Sequence, residues 1–403
     1  MENSQLKKKI IELSNEYFTE IQSIRHHLHS HPELSFKEEK TFSFIDREIS
    51  KIGITGRKKV GETGLSFTIN GSAGGKVIAL RADIDALPIE EENKVAYKSK
   101  TKGVMHACGH DVHTACLIGA AKILYELREE YPGTVKFIFQ PGEERIPGGA
   151  SILIKEGILE NPKPNKILGQ HVMPLIETGK VGFRSGMYMA SADEIYFTVK
   201  GKGGHAAMPE NLVDPILITS HIIVALQQIV SRKANPKIPS VLSFGQIIGK
   251  GATNVIPDSV SVQGTFRTFN EKWRTEAHHL IKHMSKTMAH SMNAECDMEI
   301  KKGYPYLINE PVYTKRNKKA AIDFLGEKNV IDLDLWMAAE DFAYYSHEVD
   351  ACFYRLGTRN TVKNITSGVH TPTFDVDEEA LKTGMGLMTW LTINELRSSY
   401  PFD

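Results

Sequence analysis

Charge of one sign is missing from this sequence: 49 Lys and Arg residues are balanced by 49 Asp and Glu. Without an overall positive field there is no electrostatic footprint for nucleic acid, and the densest basic cluster, Lys7-Lys8-Lys9, reads as one solvated helix face. Long apolar runs are missing too. None approaches the ~18 residues that a membrane span needs, and no apolar stretch follows the N-terminal charges as a secretion signal requires. Cysteine is scarce: Cys108, Cys116, Cys296 and Cys352 are the four in 403 residues, and their spacing forms no disulfide framework. That pattern points to a reducing, cytoplasmic compartment in which a thiol stays free to bind metal. Internal repeats, low-complexity tracts and disordered linkers are likewise absent. The remainder, 41% hydrophobic and 24% charged, suits a globular chain long enough for two domains.

The densest chemistry lies between Gly103 and Ala115, Gly-Val-Met-His-Ala-Cys-Gly-His-Asp-Val-His-Thr-Ala. Cys108, His110 and His113, with Asp111 among them, fall in a turn ahead of an apolar helical pattern (Leu117, Ala120, Ala121, Leu124, Leu127), so thiolate and imidazole can converge on one point. The turn at the positive end of that helix also favours a thiolate.

Upstream, Leu6, Ile10, Leu13, Tyr17, Ile21, Ile24 and Leu28 recur at helical spacing and predict one amphipathic helix that stops before Pro32. The histidines at its end (His26, His27, His29, His31) have no cysteine beside them and read as capping, polar-face or cleft groups rather than ligands. Residues 76 to 80 read as a buried strand that delivers Asp83 and Asp85 to its end, the active edge of an α/β sheet. Asp85 is expected to cap loop amides. Asp83 is expected to take the second N–H of a ligating histidine.

Val135 to Phe139 is a further buried strand and runs into Gln140-Pro141-Gly142-Glu143-Glu144. Neighbouring side chains at such a strand end diverge, so one carboxylate can bind metal while the other acts as general base. His171 follows the short apolar strand from Lys166 and is a ligand candidate by the same position argument. Trp336 to Phe342 starts a short helix, Cys352 to Leu356 is a strand, and His370 stands alone ahead of a helix expected to be capped at Asp377.

Between these segments the rhythm changes. From about Ser191 the order is strand (194–200), helix opened by Asp214-Pro215, strands 241–248 and 260–269, helix 271–292 and strand 295–301. That order is β-α-β-β-α-β, the ferredoxin-like unit, which can fold as an insert. Three segments are therefore expected: a first catalytic segment over 1–190, the insert over 191–302 and a second catalytic segment over 303–403. His205 and Asn254 each lie on a glycine-rich loop of the insert.

Taken together, Arg25-His-His-Leu-His29-Ser-His-Pro32-Glu33, Arg81-Ala-Asp83-Ile-Asp85-Ala-Leu-Pro88, Met105-His-Ala-Cys108-Gly-His110-Asp111, Gln140-Pro-Gly-Glu143-Glu144, Gly204-His205-Ala-Ala, Asn254-Val-Ile-Pro257, Glu340-Asp341-Phe342 and His370 resemble the M20 metallopeptidase family in its amidohydrolase branch. The resemblance implies an α/β fold: a zinc-peptidase-like α/β/α catalytic domain with an inserted ferredoxin-like lid and dimerisation domain. It implies two divalent metal ions per subunit (Mn²⁺ or Zn²⁺, with Co²⁺ and Ni²⁺ also accepted) held by Cys108, His110, Glu144, His171 and His370, with Glu143 as general base. By the same resemblance His205 reaches the partner's active site in a homodimer, while Asn254 and Arg267 hold the substrate's carbonyl or carboxylate. Glu210 departs from the pattern, many relatives having His there. The implied activity is hydrolysis of N-acyl-L-amino acids to a carboxylic acid and a free amino acid. Its rivals are a dipeptidase or aminopeptidase of the same fold, a non-catalytic metal-binding dimer, and a hydrolase with Cys108 as covalent nucleophile.

Overall fold

The computed structural model describes residues 1–398, which form two compact units. The first comprises Met1–Gly186, Ile308–Asp334 and the chain from Asp341 onward; the second comprises Met187–Leu307 with Leu335–Glu340.

The first unit is built on an eight-stranded sheet in the order Lys58–Val60, Gly64–Asn70, Thr134–Gln140, Val77–Asp83, Lys166–Glu177, Asp350–Arg359, Val181–Phe183, Val330–Asp332. The four central strands, Thr134–Gln140 to Asp350–Arg359, run parallel, so their carboxyl ends share one edge. Strands covered on both faces need apolar or paired side chains throughout, which accounts for the unbroken burial from Ile78 to Asp83. One face carries Leu80, Ala82, Phe137 and Leu168, packed in a single core with the helices His110–Glu126 and Ala380–Arg397. Phe342, Ala343, Tyr345 and Phe353 are buried outside that core, with the Phe342 and Phe353 rings 4.8 Å apart.

Three local expectations change. The N-terminal helix is two, Asn3–Glu16 and Phe18–Ser30, broken at Tyr17. The short helix expected from Trp336 is confined to Ala343–Ser346. The last helix begins at Ala380 rather than Asp377, which sits one turn ahead of it: the Asp377 carboxylate accepts from the Glu379 N–H at 3.5 Å and its carbonyl from the Ala380 N–H at 2.9 Å, while Asn360 Nδ2 and Lys363 Nζ hold the same carboxylate at 2.6 and 2.7 Å.

The second unit is an antiparallel sheet in the order Ser240–Ile248, Ser259–Thr268, Asp193–Lys200, Glu295–Lys302, with helices Pro215–Gln228 and Glu271–Ser291. This is the β-α-β-β-α-β arrangement, with the first strand placed inside the sheet by its two helical crossovers. Asp214 Oδ1 accepts the N–H groups of Ile216 and Leu217 at 2.8 and 3.2 Å, and Asn270 Oδ1 that of Trp273 at 2.8 Å, so both helices start on side-chain caps. Ile218, Ile222 and Leu226 meet Ile195, Phe197, Val199, Trp273 and Ile281 in this unit's own core. The stretch Pro215–Lys233 is long and apolar enough, by length and composition alone, to cross a bilayer. No such run was expected; the apolar character arises because both the inner and the outer face of this helix carry aliphatic side chains.

Candidate metal centre

Parallel register delivers the first side chains. Asp83 lies opposite Gln140 and Arg81 opposite Gly169, which brings His171, two residues further on, level with Asp83 at the same sheet edge. The turn Cys108-Gly109-His110 meets that edge from the side. Gly109 has φ +82°, and a Cβ there would sit 2.6 Å from Val172, so only glycine lets the turn approach the His171 strand. His370 arrives on a separate loop in the left-handed region (φ +61°), its N–H bonded to the Ala107 carbonyl at 2.7 Å.

Cys108 Sγ lies 3.4 Å from His171 Nε2 and 3.3 Å from His370 Nε2. Glu144 Oε1 is 3.3 Å from His370 Nε2 and 3.8 Å from His110 Nε2, and Glu143 Oε2 is 4.0 Å from His110 Nε2. Cys108, His110, Glu143, Glu144, His171 and His370, drawn from four segments, thus face one region and make overlapping sets of atoms spaced to share an ion.

The donors fit a cation. His110 Nε2 and Glu144 Oε1 are buried and have no hydrogen-bond partner among the described residues. His171 Nδ1 donates to the Val172 carbonyl at 2.8 Å, which leaves its Nε2 lone pair aimed at the cluster. Burial, with Glu144, Glu143 and Asp83 close by, pushes the Cys108 thiol well above its ordinary range; the helix dipole does not offset this, and a cation would. Burial alone would lower His110, but Asp83, Asp85 and Glu144 outweigh it and push it up to about 10. Surroundings so acidic call for positive charge, which a cation held by a neutral His110 would supply.

The supporting shell differs from expectation. His110 Nδ1 pairs with Asp85 Oδ1 at 3.2 Å, while Asp83 is 3.7 Å away. Asp83 instead receives His113 Nδ1 at 2.6 Å and Arg81 Nη1 at 2.7 Å; although burial raises its pKa, His110, His113 and Arg81 hold it well below the carboxylate range. Asp85 does cap a loop amide as well, accepting from the Glu144 N–H at 3.0 Å. His113, part of the opening cluster in the sequence, is a pillar: its Nε2 accepts from the Val172 N–H at 2.9 Å, so neither ring nitrogen is left for an ion. Asp111 turns away to Arg25 Nε and His29 Nδ1, both at 2.8 Å. The buried Arg81, Gln140 and Asp341 network behind the sheet edge was not visible in the sequence, because its members are more than fifty residues apart.

In the second unit the two glycine-rich loops meet. Gly204–His205 pairs with Val255–Ile256, and the Ala206 N–H donates to the Asn254 carbonyl at 3.0 Å, so His205 and Asn254 are exposed neighbours. Arg267, half-buried, lies eight residues along its strand from Ser259, about 26 Å from the end that adjoins those loops.

A parallel α/β sheet with a thiol, three imidazoles and paired carboxylates gathered at its carboxyl edge defines a metal-binding hydrolase as a class. The chain belongs to peptidase family M20/M25/M40, whose model matches residues 79–393. The resemblance read from the motifs is thereby borne out, and the protein is a hydrolase of amide bonds. It is 40% identical over 358 residues to N-acetyl-L-cysteine deacetylase of Bacillus subtilis (strain 168), covering 89% of this chain and 84% of that one. It is 37% identical over 390 residues to IAA-amino acid hydrolase ILR1-like 4 of Arabidopsis thaliana, covering 95% and 88%. Among solved structures, the Bacillus subtilis YXEP protein, described as a dinuclear metal binding peptidase from the M20 family, superposes with a TM-score of 0.81 at 34% identity, covering 95% of this chain and 99% of that one.

Proposed function

We propose that this enzyme hydrolyses N-acyl-L-amino acids at their amide bond, with Cys108, His110, Glu144, His171 and His370 holding two divalent ions and Glu143 acting as general base. The observation that carries the reading is the convergence of those side chains with a second carboxylate, Glu143, beside them. Divalent ions held there would polarise the amide carbonyl and acidify water. Glu143 takes the proton of the attacking water and returns it to the leaving amine. Thiolate, imidazole and carboxylate donors suit Zn²⁺ or Mn²⁺. The raised thiol pKa speaks against Cys108 as a free nucleophile, which would need a lowered one. Free, buried cysteines and a thiol ligand fit a reducing cytoplasm.

Arg267 serves as the clamp for the substrate's α-carboxylate, and His205 with Asn254 steadies the amide oxygen. The first lies at one end of a strand and the other two adjoin its opposite end, about 26 Å apart, too far for a single small amide to span within one unit. A homodimer resolves this if His205 and Asn254 of the partner subunit complete each site together.

Two measurements test the reading. Glu143→Gln is expected to keep full metal content by elemental analysis while turnover falls by at least ~10²-fold, the lower end of what general-base catalysis contributes; retained turnover removes Glu143 from the role. A panel of N-acetyl and N-benzoyl amino acids against free dipeptides then fixes the class. Preference for dipeptides would assign the chain to peptidase action instead.

A further inference from the structure

The turn bearing Glu143 and Glu144 is gripped from outside the cluster of converging donors. Glu38 is completely buried. Its Oε1 accepts from the Gly142 N–H and from the Phe36 N–H, each at 2.9 Å, and its Oε2 from the Thr63 hydroxyl at 2.6 Å. On the far side of Glu143, Asp85 Oδ2 accepts from the Glu144 N–H at 3.0 Å and from the Ser35 hydroxyl at 2.7 Å. The Gly142 carbonyl is fixed as well, accepting from the Gly149 N–H at 3.0 Å.

The backbone on either side of Glu143 is therefore anchored by two buried carboxylates, and both anchors run through the segment Ser35–Glu38. Steric contact reinforces the grip. Gly142 has φ +63°, and a Cβ on it would fall 2.2 Å from the Phe36 ring, so the ring fills the space that a side chain would take. Phe36 itself holds φ +64°, a conformation rare for an aromatic residue and kept here by its N–H bond to Glu38.

A plug that merely filled space could be apolar. Burying a carboxylate costs free energy unless its bonds do something that an alkyl group cannot. What these bonds do is fix the peptide immediately before the proposed base.

We propose that Glu38 is a positioning residue for Glu143: by holding the Gly142 amide it sets the angle at which the Glu143 carboxylate leaves the turn. This rests on Glu143 being the base. Displacement of a reacting group by about 1 Å is enough to lower turnover on the order of 10²-fold.

The test uses the full chain loaded with Mn²⁺ or Zn²⁺, an N-acetyl amino acid as substrate, and elemental analysis of each variant. Glu38→Gln keeps one oxygen for both amides and offers its NH₂ to Thr63, so its kcat should stay within about threefold of wild type. Glu38→Asp keeps the charge but draws the oxygens back by one methylene; its kcat should fall about 10-fold, and that of Glu38→Ala about 10²-fold. KM and metal content should stay within about twofold throughout. Wild-type kcat in Glu38→Asp, a rise in KM alone, or loss of metal would overturn the proposal. Should Glu38→Ala fail to fold, the Asp and Gln variants carry the test. Glu143→Gln, assayed alongside, separates the two readings: if it is active the base assignment fails, and if it is inactive while Glu38→Asp is unimpaired, only the clamp fails.

Discussion

What an imidazole does in this protein is decided by its second nitrogen. His171 donates from Nδ1 to the Val172 carbonyl and keeps Nε2 open, whereas His113 uses Nδ1 on Asp83 and Nε2 on the Val172 N–H. The expected consequence is a clean division between two variants. Cys108→Ala should lose bound metal by elemental analysis. His113→Ala should retain it at saturating metal and instead lose about 3 kcal/mol of stability in urea unfolding, since it leaves a buried carboxylate and a buried amide short of a partner. Loss of metal from His113→Ala at saturation would make that residue a ligand after all. In the sequence, His110 and His113 looked alike, three residues apart in one expected turn, and the structure sets both on the first turn of the helix His110–Glu126. The difference comes from the register of the strand Lys166–Glu177, which brings the Val172 amide to one ring and leaves the other facing the cluster. Asp83 meets His113 and Asp85 meets His110 for a similar reason: spacing places both aspartates at a strand end, but only packing decides which histidine each meets.

At the scale of elements, the strands were legible and the helix boundaries less so. A parallel strand covered on both faces needs apolar or paired side chains along its length, and Val77–Asp83, Thr134–Gln140 and Lys166–Glu177 carry that signature in Val77–Leu80, Phe137–Phe139 and Ile167–Leu168. The break at Tyr17 leaves no such trace, because Leu13, Ile21 and Ile24 stay in phase across it. Inside the second unit one buried charge cluster ties the elements together. Arg274, from the helix Glu271–Ser291, donates to Asp193 Oδ1 at 2.6 Å and to the carbonyls of Ala192 and Gly303 at 3.1 and 2.9 Å, and His278 Nε2 lies 2.6 Å from Asp193 Oδ2. It thereby pins the residue before the first strand of the unit and the residue after the last. Burial alone would raise the Asp193 pKa; hydrogen bonds from His278 and Arg274 outweigh it and hold the carboxyl below its ordinary value. A depressed carboxyl contributes stability that is complete above its unfolded pKa of about 3.9 and is lost as pH falls through the lower folded value. Asp193→Asn should therefore cost about 3 kcal/mol at pH 7, by removing the buried counter-charge of Arg274 and leaving it the partly exposed Glu271 carboxylate at 3.0 Å. The gap from wild type, read from urea midpoints, should narrow as pH drops below about 4. A gap independent of pH would show that the carboxylate charge is not what matters.

For the whole molecule, the question is what covers the outer face of the second unit. The helix Pro215–Gln228 turns Ile218, Ile222 and Leu226 into its own core, yet Leu217 is 56% and Val224 73% exposed on its other side. Aliphatic side chains on the outer as well as the inner side of a helix are normally covered. In the same unit, Ser240–Ile248 is an edge strand, paired among the described residues with Ser259–Thr268 alone and carrying Ile247 at 57% exposure. An exposed apolar helix and an open strand edge on one unit suit a second copy of the chain, because a two-fold axis lets the same patch meet itself and closes the edge of both copies. Val224→Asp places a charge in the middle of that patch without touching the unit's own core, so it should convert a dimer to a monomer in light scattering while leaving the thermal midpoint of the metal-bearing unit in place. If His205 reaches the neighbouring subunit, the monomer should also lose about 10²-fold in kcat, the scale of one oxyanion donor, with its metal content unchanged. Mixing Val224→Asp with a Glu143→Gln chain would not restore activity, since the charge blocks the shared face. A Val224→Asp protein that is monomeric and fully active would mean that each chain carries its complete site, and it would release His205 from the role given to it here.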